Sequence, residues 1–95
     1  MTDTVAVTAV FIPLDDEFFR VKLALDIAIE QVLEDPGCLQ YEVTDAQPER
    51  IVLTERWESA ELLEQHLHGP AVQDLHESLS ALLAEPVQVS RSDKP

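Results

Sequence analysis

Two histidines and a tryptophan are the side chains most suited to chemistry in this sequence. His66 lies beside Leu62, Leu63 and Leu67 at helical spacing, and His76 borders a second apolar helix face. A neutral imidazole next to an apolar space could act as a general base or a hydrogen-bond donor, because its ordinary pKa is close to neutrality. The alternative is that each histidine is half-buried and hydrogen-bonded to a neighbour. Both interpretations stay open from the residues alone.

Other kinds of site are poorly supported. A metal bound by His66, His76 and an acid is conceivable, but no pair of ligands has the spacing of a known metal motif. The chain has only two glycines and no glycine-rich phosphate loop, so we expect no nucleotide cofactor. The single cysteine, Cys38, has acidic neighbours that would oppose a thiolate. We therefore expect no metal and no cofactor.

The stretch from Ile51 to Ser59 positions the tryptophan. Strand side chains alternate between faces, so the odd-numbered residues share one face with Trp57 and the even-numbered residues share the other. Ser59 is a good N-cap for a following helix. Trp57 should therefore stand at a strand end beside a helix start, where a pocket can open between layers.

The remaining patterns predict one domain with the order β-α-β-β-α-α-β. The predicted strands are 4–12, 38–45, a strand from residue 51, and 87–90; the predicted helices are 16–34, 59–68 and 71–84. Asp15 or Asp16 is expected to cap the first helix. Its apolar face is predicted from the spacing of Phe18, Val21, Leu25, Ala28, Ile29 and Val32, and Phe19, Leu23 and Ile27 are expected to widen it into a broad stripe. Residues 1–3 and 91–95 are expected to be loose ends. The order predicts an α+β, ferredoxin-like, antiparallel four-stranded sheet with the helices on one face.

The first strand predicts a partner. Val5 to Ile12 are almost continuously apolar, so both faces of this strand look buried, yet the helices can cover only one. A second copy that packs sheet against sheet would cover the other. We therefore expect a two-fold symmetric homodimer.

Charge and composition restrict the other partners and the location. Nineteen acids against six bases give a net charge of −13, which disfavours nucleic acids and anionic membrane surfaces. We detect no secretory signal and no apolar run of membrane length, and the one cysteine cannot form an intrachain disulfide. The expected location is the cytoplasm.

Two motifs resemble those of the antibiotic biosynthesis monooxygenase family. The first is Pro-Gly-Cys-Leu-Gln-Tyr-Glu at 36–42, and the second is Glu-Arg-Trp-Glu-Ser at 55–59, followed after seven residues by His66-Leu67. The resemblance covers most of the chain and implies a dimeric α+β barrel. Some members of this family are cofactor-free monooxygenases that convert phenols or hydroquinones into quinones, others degrade haem, and many have no assigned role.

The resemblance also carries over to individual positions. Trp57 matches the pocket tryptophan of the quinone-forming enzymes, whereas Leu53 and Leu63 stand where those enzymes have an asparagine and a tyrosine. His76 falls near their helical arginine and near the haem-ligating histidine of the haem-degrading branch. That branch's asparagine and tryptophan are replaced here by Ala9 and His66, which disfavours haem degradation.

The resulting functional hypothesis is a cofactor-independent monooxygenase that oxidises a small aromatic phenol or hydroquinone to a quinone. His76, with His66 as the second candidate, would be the base or hydrogen-bond donor, and the apolar walls would come from Trp57, Phe18, Leu53 and Leu63. The alternative is a small dimeric domain that binds a small molecule, or serves in a stress response, without turnover. Haem binding is a third and less favoured hypothesis.

Overall fold

The structure, a computed structural model, describes residues 4–93. It has the predicted order, with β1 Val5–Phe11, α1 Phe18–Val32, β2 Cys38–Gln47, β3 Arg50–Trp57, α2 Ala60–Leu67, α3 Pro70–Leu79 and β4 Gln88–Asp93. The four strands form one sheet in the order β2-β3-β1-β4, and each neighbouring pair is antiparallel. This is the predicted α+β, ferredoxin-like fold.

The helices cover one face of the sheet. On that face β1 buries Val5, Val7, Ala9 and Phe11, and β3 buries Ile51, Leu53, Glu55 and Trp57. Ala6 and Thr8, on the other face of β1, are exposed, and Val10 is half-buried. The outer sheet face of this single chain is therefore uncovered, although its residues are smaller and more polar than a continuous apolar strand would suggest.

The first helix differs from its prediction in two ways. The predicted main face is confirmed by the burial of Val21, Leu25, Ala28 and Val32. Phe19, Leu23 and Ile27 are exposed, so the prediction that they widen the buried stripe is wrong. The expected cap at Asp15 or Asp16 is also wrong, because Glu17 occupies the N-cap position and its side chain makes no capping bond.

The last helix ends earlier than predicted, and the last strand runs further. After Leu79 the chain turns back to the end of β1, where the Leu14 amide donates to the Leu82 carbonyl and the Ala84 amide donates to the Ile12 carbonyl. β4 then pairs with β1 as far as Asp93, so the prediction of a loose end from residue 91 is wrong up to residue 93. Residues 1–3 and 94–95, also expected to be loose, lie outside the described residues.

The second strand is irregular. Its register against β3 shifts between Cys38 and Gln40 and again between Val43 and Asp45. Leu39 is consequently exposed and does not share the buried face with Tyr41, as simple alternation had predicted.

In the part of the chain that the structure covers, 4–93, no helix has the length and apolar character needed to cross a membrane.

Candidate functional site

His66 lies at the centre of a buried cluster between α2 and the sheet. Its ring stacks on Trp57 with centroids 4.5 Å apart and planes 28° apart, and it meets Tyr41 edge to face at 5.5 Å. Its Nδ1 lies 3.1 Å from Oδ2 of Asp35. The residue is only 4% exposed. An aromatic surface and a carboxylate therefore fix the imidazole in one orientation.

Local features of three segments produce this arrangement. The Ser59 hydroxyl accepts a hydrogen bond from the Leu62 amide at 3.2 Å, so α2 starts directly after Trp57, as the sequence predicted. Leu63 and His66 then face the sheet because they are three residues apart on the helix. The Glu58 amide donates to the Gly37 carbonyl at 2.9 Å, which joins the turn after α1 to the start of α2. Asp35, in that turn, is thereby held opposite His66.

The environment of His66 favours the neutral imidazole. Burial lowers its pKa below the ordinary value, and the hydrogen bond and charge of Asp35 only partly oppose this. A carboxylate can only accept, so the imidazole proton lies on Nδ1 and Nε2 carries the lone pair. Within residues 4–93 every fully buried side-chain nitrogen has a hydrogen-bond partner. For Nε2 of His66 no hydrogen-bond partner is found among residues 4–93, and the side chain is 2% exposed.

A second carboxyl group lies behind the tryptophan. The Trp57 Nε1 donates to Oε1 of Glu55 at 3.0 Å. Burial raises the pKa of Glu55, although the bond from Trp57 opposes the shift. Tyr41 is paired with Glu55 across the strands, and burial followed by the Glu55 charge raises the pKa of its hydroxyl. Tyr41 therefore stays protonated at neutral pH.

A small cleft opens beside His66 between the turn after α1 and the α2–α3 junction. Its volume is about 180 Å³, and its walls are formed by Asp35, Pro36, Leu62, Gln65, His66, Gly69 and Pro70. A cavity of about 150 Å³ is enough to hold benzene. The cleft is thus large enough for one aromatic ring.

The other predicted site residues are spread over the molecule. Leu53 and Leu63 are buried in the core with Trp57. Phe18 lines a cleft of about 830 Å³ at the start of α1, with Asp15, Asp16 and Glu49 among its neighbours. His76 is exposed on α3 and lines a cleft of about 610 Å³ with Leu79, Leu83, Val87 and Val89. The structure therefore brings together His66 and Trp57, whereas Phe18 and His76 each line a different cleft.

Asp35 is the main residue that the sequence did not reveal. Thirty-one positions separate it from His66. Its only local signal is its place before Pro36-Gly37, which indicates a turn and not a partner. The same holds for Leu62 and Gln65, whose role in the cleft depends on how α2 sits against that turn.

Metal and thiol chemistry gain no support from the geometry. Among residues 4–93 no three histidine, cysteine or acidic side chains are grouped so that they could hold a metal ion. Burial raises the pKa of the Cys38 thiol, and the charges of Glu55 and Asp35 raise it further. A thiolate at Cys38 is therefore disfavoured at neutral pH.

Comparison with known proteins agrees with this architecture. Residues 5–78 match the family described as antibiotic biosynthesis monooxygenase. A Mycobacterium tuberculosis protein named "Putative monooxygenase Rv0793" is 32% identical over 91 residues, which cover 95% of this chain and 90% of that protein. The solved structure of Rv0793 superposes with a TM-score of 0.86 at 30% identity over 94% of this chain and 92% of that one.

More distant relatives share the fold. A structure named "Putative antibiotic biosynthesis monooxygenase from Nitrosomonas europaea" has a TM-score of 0.89 at 17% identity, covering 99% of this chain and 92% of that one. A conserved protein from Methanosarcina mazei has a TM-score of 0.89 at 21% identity, covering 99% of this chain and 95% of that one. On the family match and the similarity to Rv0793, this chain belongs to the antibiotic biosynthesis monooxygenase family.

Proposed function

We propose that this protein is a cofactor-independent monooxygenase that oxidises a single-ring phenol or hydroquinone to a quinone, with His66 as the base. The observation that carries this proposal is the hydrogen bond from His66 Nδ1 to Asp35, made by an imidazole that stacks on Trp57 beside a ring-sized cleft. A base held by a second group, with its other nitrogen free, is the usual arrangement for proton abstraction. The monooxygenase name of the Mycobacterium tuberculosis relative supports the same reaction class.

The chemistry needs only the substrate, dioxygen and the base. Nε2 of His66 would remove the phenolic proton, and the electron-rich phenolate would then react with dioxygen. For a phenol with a free para position, the O–O bond breaks, one oxygen atom becomes the new carbonyl, and the other leaves as water with the phenolic and para hydrogens. For a hydroquinone, two electrons and two protons pass to dioxygen, which gives hydrogen peroxide and no oxygen insertion; this would be an oxidase side reaction, recognised by the absence of ¹⁸O in the quinone.

The neighbours of His66 would have supporting roles. Asp35 would stabilise the imidazolium that forms, in the manner of the carboxylate in hydrolase triads. Trp57 would hold the ring of His66 from behind, and Leu53 and Leu63 would form the apolar floor beneath the cluster. Substrate contact would come from the walls of the cleft, chiefly Leu62 and Gln65.

We also propose that the working form is a cytoplasmic homodimer. The outer sheet face is uncovered in the single chain, and the family resemblance implies a two-fold dimer built on the sheets. The His66 cluster lies on the helix-covered face, so each subunit would carry its own site.

The reaction is tested with a panel of phenols and hydroquinones in air-saturated buffer containing a chelator. Oxygen uptake, quinone absorbance and incorporation of oxygen from ¹⁸O₂ are measured. His66→Asn keeps a donor for Asp35 but removes the base, so turnover should fall by about 100-fold or more. Asp35→Asn should lower it by a smaller factor. The matched control is His68→Asn, because His68 is two residues away and its side chain is 81% exposed; this variant should keep full activity.

His76→Asn separates the two histidine hypotheses. If His76→Asn abolishes turnover and His66→Asn does not, the reaction belongs to the larger cleft on α3 and our assignment of the base is wrong. Unfolding curves for each variant show whether a loss of activity reflects a loss of fold.

A second function, ligand binding without turnover, is favoured by one observation. Trp57, Leu53 and Leu63 are each no more than 1% exposed, so side chains fill the core beneath the cleft. A ligand would therefore bind in the shallow cleft and not in an enclosed pocket that excludes water, which suits binding better than oxygen chemistry. Trp57 is the only tryptophan of the chain, and its fluorescence should report an aromatic ring bound beside His66. Quenching by the panel with no oxygen uptake would support binding and would refute the oxygenase.

A further inference from the structure

Glu55 is an acidic side chain on the buried face of β3, a face that is otherwise apolar. It lies between Leu53 and Trp57, which are 1% and 0% exposed, and it is itself only 6% exposed. Its neighbours across the sheet, Val7 and Tyr41, are also buried. A carboxyl group in such a place costs free energy that a leucine would not, so stability alone does not account for it. Residues that break the pattern of a core are concentrated at functional sites.

The two buried polar side chains among residues 4–93 contact the same tryptophan. They are Glu55 and His66. Glu55 accepts a hydrogen bond from Nε1 of Trp57 at 3.0 Å, at the edge of the indole. His66 stacks on the face of the indole, with centroids 4.5 Å apart and planes 28° apart. The tryptophan therefore connects the carboxyl group to the imidazole through two direct contacts.

The bond at the edge of the indole fixes the plane of that ring. A tryptophan side chain turns about two torsions, and its N–H group lies at the edge of the ring. A rotation that moves Nε1 of Trp57 away from Glu55 leaves a buried N–H without a partner, which is unfavourable. Glu55 therefore selects one orientation of the indole from those that packing alone allows.

The plane of the indole in turn decides where the imidazole points. Asp35 lies 3.1 Å from Nδ1 of His66 and determines which nitrogen carries the proton. This bond acts on a single atom, so the tilt of the imidazole depends on the surface on which it stacks, and that surface is Trp57. The direction of Nε2 therefore depends on both contacts.

We propose that Glu55 is a positioning residue for the proposed base His66 and that it acts through the indole of Trp57. This role rests on the proposed function, because the direction of Nε2 matters to the reaction only if that atom removes a proton. Glu55 is not among the residues that line the cleft, so its effect is indirect. If Glu55 served only to satisfy a buried N–H, its replacement would change stability and leave the imidazole in place.

Nuclear magnetic resonance tests these contacts without any need for turnover. Ring currents of Trp57 and Tyr41 should shift the ring protons of His66 away from the positions of a free histidine. Trp57 is the only tryptophan, so its indole N–H gives a single signal that reports the bond to Glu55. Glu55→Gln keeps an oxygen acceptor and should leave both sets of signals close to those of the wild type. Glu55→Leu removes the acceptor and should move the indole signal and bring the His66 shifts toward those of a free histidine.

Glu55→Asp provides a second variant if Glu55→Leu does not fold. It keeps the charge but shortens the side chain by one methylene group, which draws the carboxylate away from Nε1 of Trp57. The ring protons of His66 should move in the same direction and by less. If they keep their wild-type positions while the indole signal moves, the proposal is overturned, because the bond is then broken without any effect on the imidazole.

Kinetics on the phenol and hydroquinone panel supply the second readout. Glu55→Leu should lower kcat by about tenfold or more and change KM by less than about twofold, because the base is misdirected while the cleft walls are unchanged. Glu55→Gln should keep kcat near the wild-type value. The matched control is Glu30→Leu, since Glu30 is exposed on α1; this variant should also keep the wild-type kcat.

The two readouts separate the role of Glu55 from the proposed reaction. A wild type without turnover would refute the oxygenase, and the resonance shifts of the variants would still decide whether Glu55 positions His66. A wild type with turnover and a Glu55→Leu variant with unchanged kcat would overturn the positioning role.

Discussion

His66 is the residue on which the proposed chemistry depends, and the same contacts that orient it affect stability. Three groups hold it: Asp35 by a hydrogen bond, Trp57 by stacking and Tyr41 by an edge-to-face contact. Its position on the apolar side of α2 was predicted from the spacing of leucines, which is a local property. Its partner Asp35 comes from another segment, and only the folded chain brings the two together.

Stability should depend on pH through His66. Its pKa is lowered by burial in the folded chain from the ordinary 6.5, so the unfolded chain binds the proton more readily. The free energy of unfolding should therefore decrease as pH falls through about 6.5, until the folded-state pKa is passed. Urea unfolding at pH 5 and pH 8 should show a larger advantage of wild type over His66→Asn at pH 8.

Glu55 changes the free energy of unfolding with pH in the direction opposite to His66, so the urea measurement must account for it. Its pKa is raised by burial, so the stability it contributes when protonated is lost as pH rises above its ordinary 4.5. Glu55→Gln should remove this contribution. If the difference in free energy of unfolding between wild type and His66→Asn is the same at pH 5 and pH 8, the pKa of His66 is not lowered as its environment implies.

Among the elements, the turn between α1 and β2 does most to shape the site. Gly37 adopts φ +84°, a left-handed conformation that glycine accepts at little cost. A Cβ at Gly37 would lie 2.9 Å from the Cβ of Leu62, so the turn and α2 touch without room for a side chain. This close approach sets the width of the His66 cleft, because Asp35, Pro36 and Leu62 form its walls.

Gly37→Ala should therefore destabilise the protein by about 1–3 kcal/mol, through the unfavourable φ and the contact with Leu62. Adding Leu62→Ala removes the outer side-chain atoms that crowd the new Cβ, but it leaves the Cβ at 2.9 Å and the φ unchanged. The double variant should therefore cost somewhat less than the two single changes added together. Unfolding in urea measures both effects. The control is Gly69→Ala, since Gly69 has an ordinary φ and its nearest neighbour to a Cβ lies at 3.3 Å. Strict additivity would show that the turn and α2 do not press on each other.

Elements that depend on neighbouring residues were predictable, and elements that depend on distant pairing were not. The cap at Ser59 and the alternation of β3 follow from a few adjacent residues, and both were correct. The end of α3 at Leu79 and the extension of β4 to Asp93 follow from contacts with β1, which lies at the other end of the sequence. Periodicity identified the buried face of α1, but it did not show that Phe19, Leu23 and Ile27 are exposed, because these residues are also large and apolar.

For the whole molecule, the outer sheet face determines the expected assembly. Ala6, Thr8 and Val10 of β1 pair with Arg56, Thr54 and Val52 of β3, and together they form the centre of this face. The face is mixed in polarity, with small and β-branched side chains that suit close packing of two sheets. The dimer was predicted because β1 is apolar on both faces in the sequence. The structure leaves the outer face of β1 uncovered, and the dimer itself stays a prediction.

Thr8→Glu should weaken the proposed sheet dimer, because it would bury an unpaired carboxylate at the centre of that face. We expect the midpoint concentration for dissociation to rise by about 30-fold or more. Light scattering over a dilution series measures it, with Gln73→Glu on the exposed side of α3 as the control. A wild type that is monomeric at micromolar concentration would rule out the sheet dimer.

The two register shifts in β2 have a consequence for solubility. β2 is an edge of the sheet, and an edge strand with free amides and carbonyls can recruit strands from other molecules into growing fibrils. Bulges bend such a strand, and Glu42 and Asp45 place negative charge along it. Strand addition at this edge is therefore disfavoured by the shape of β2 and by the charge of Glu42, whereas the charge of Asp45 is balanced by Arg50.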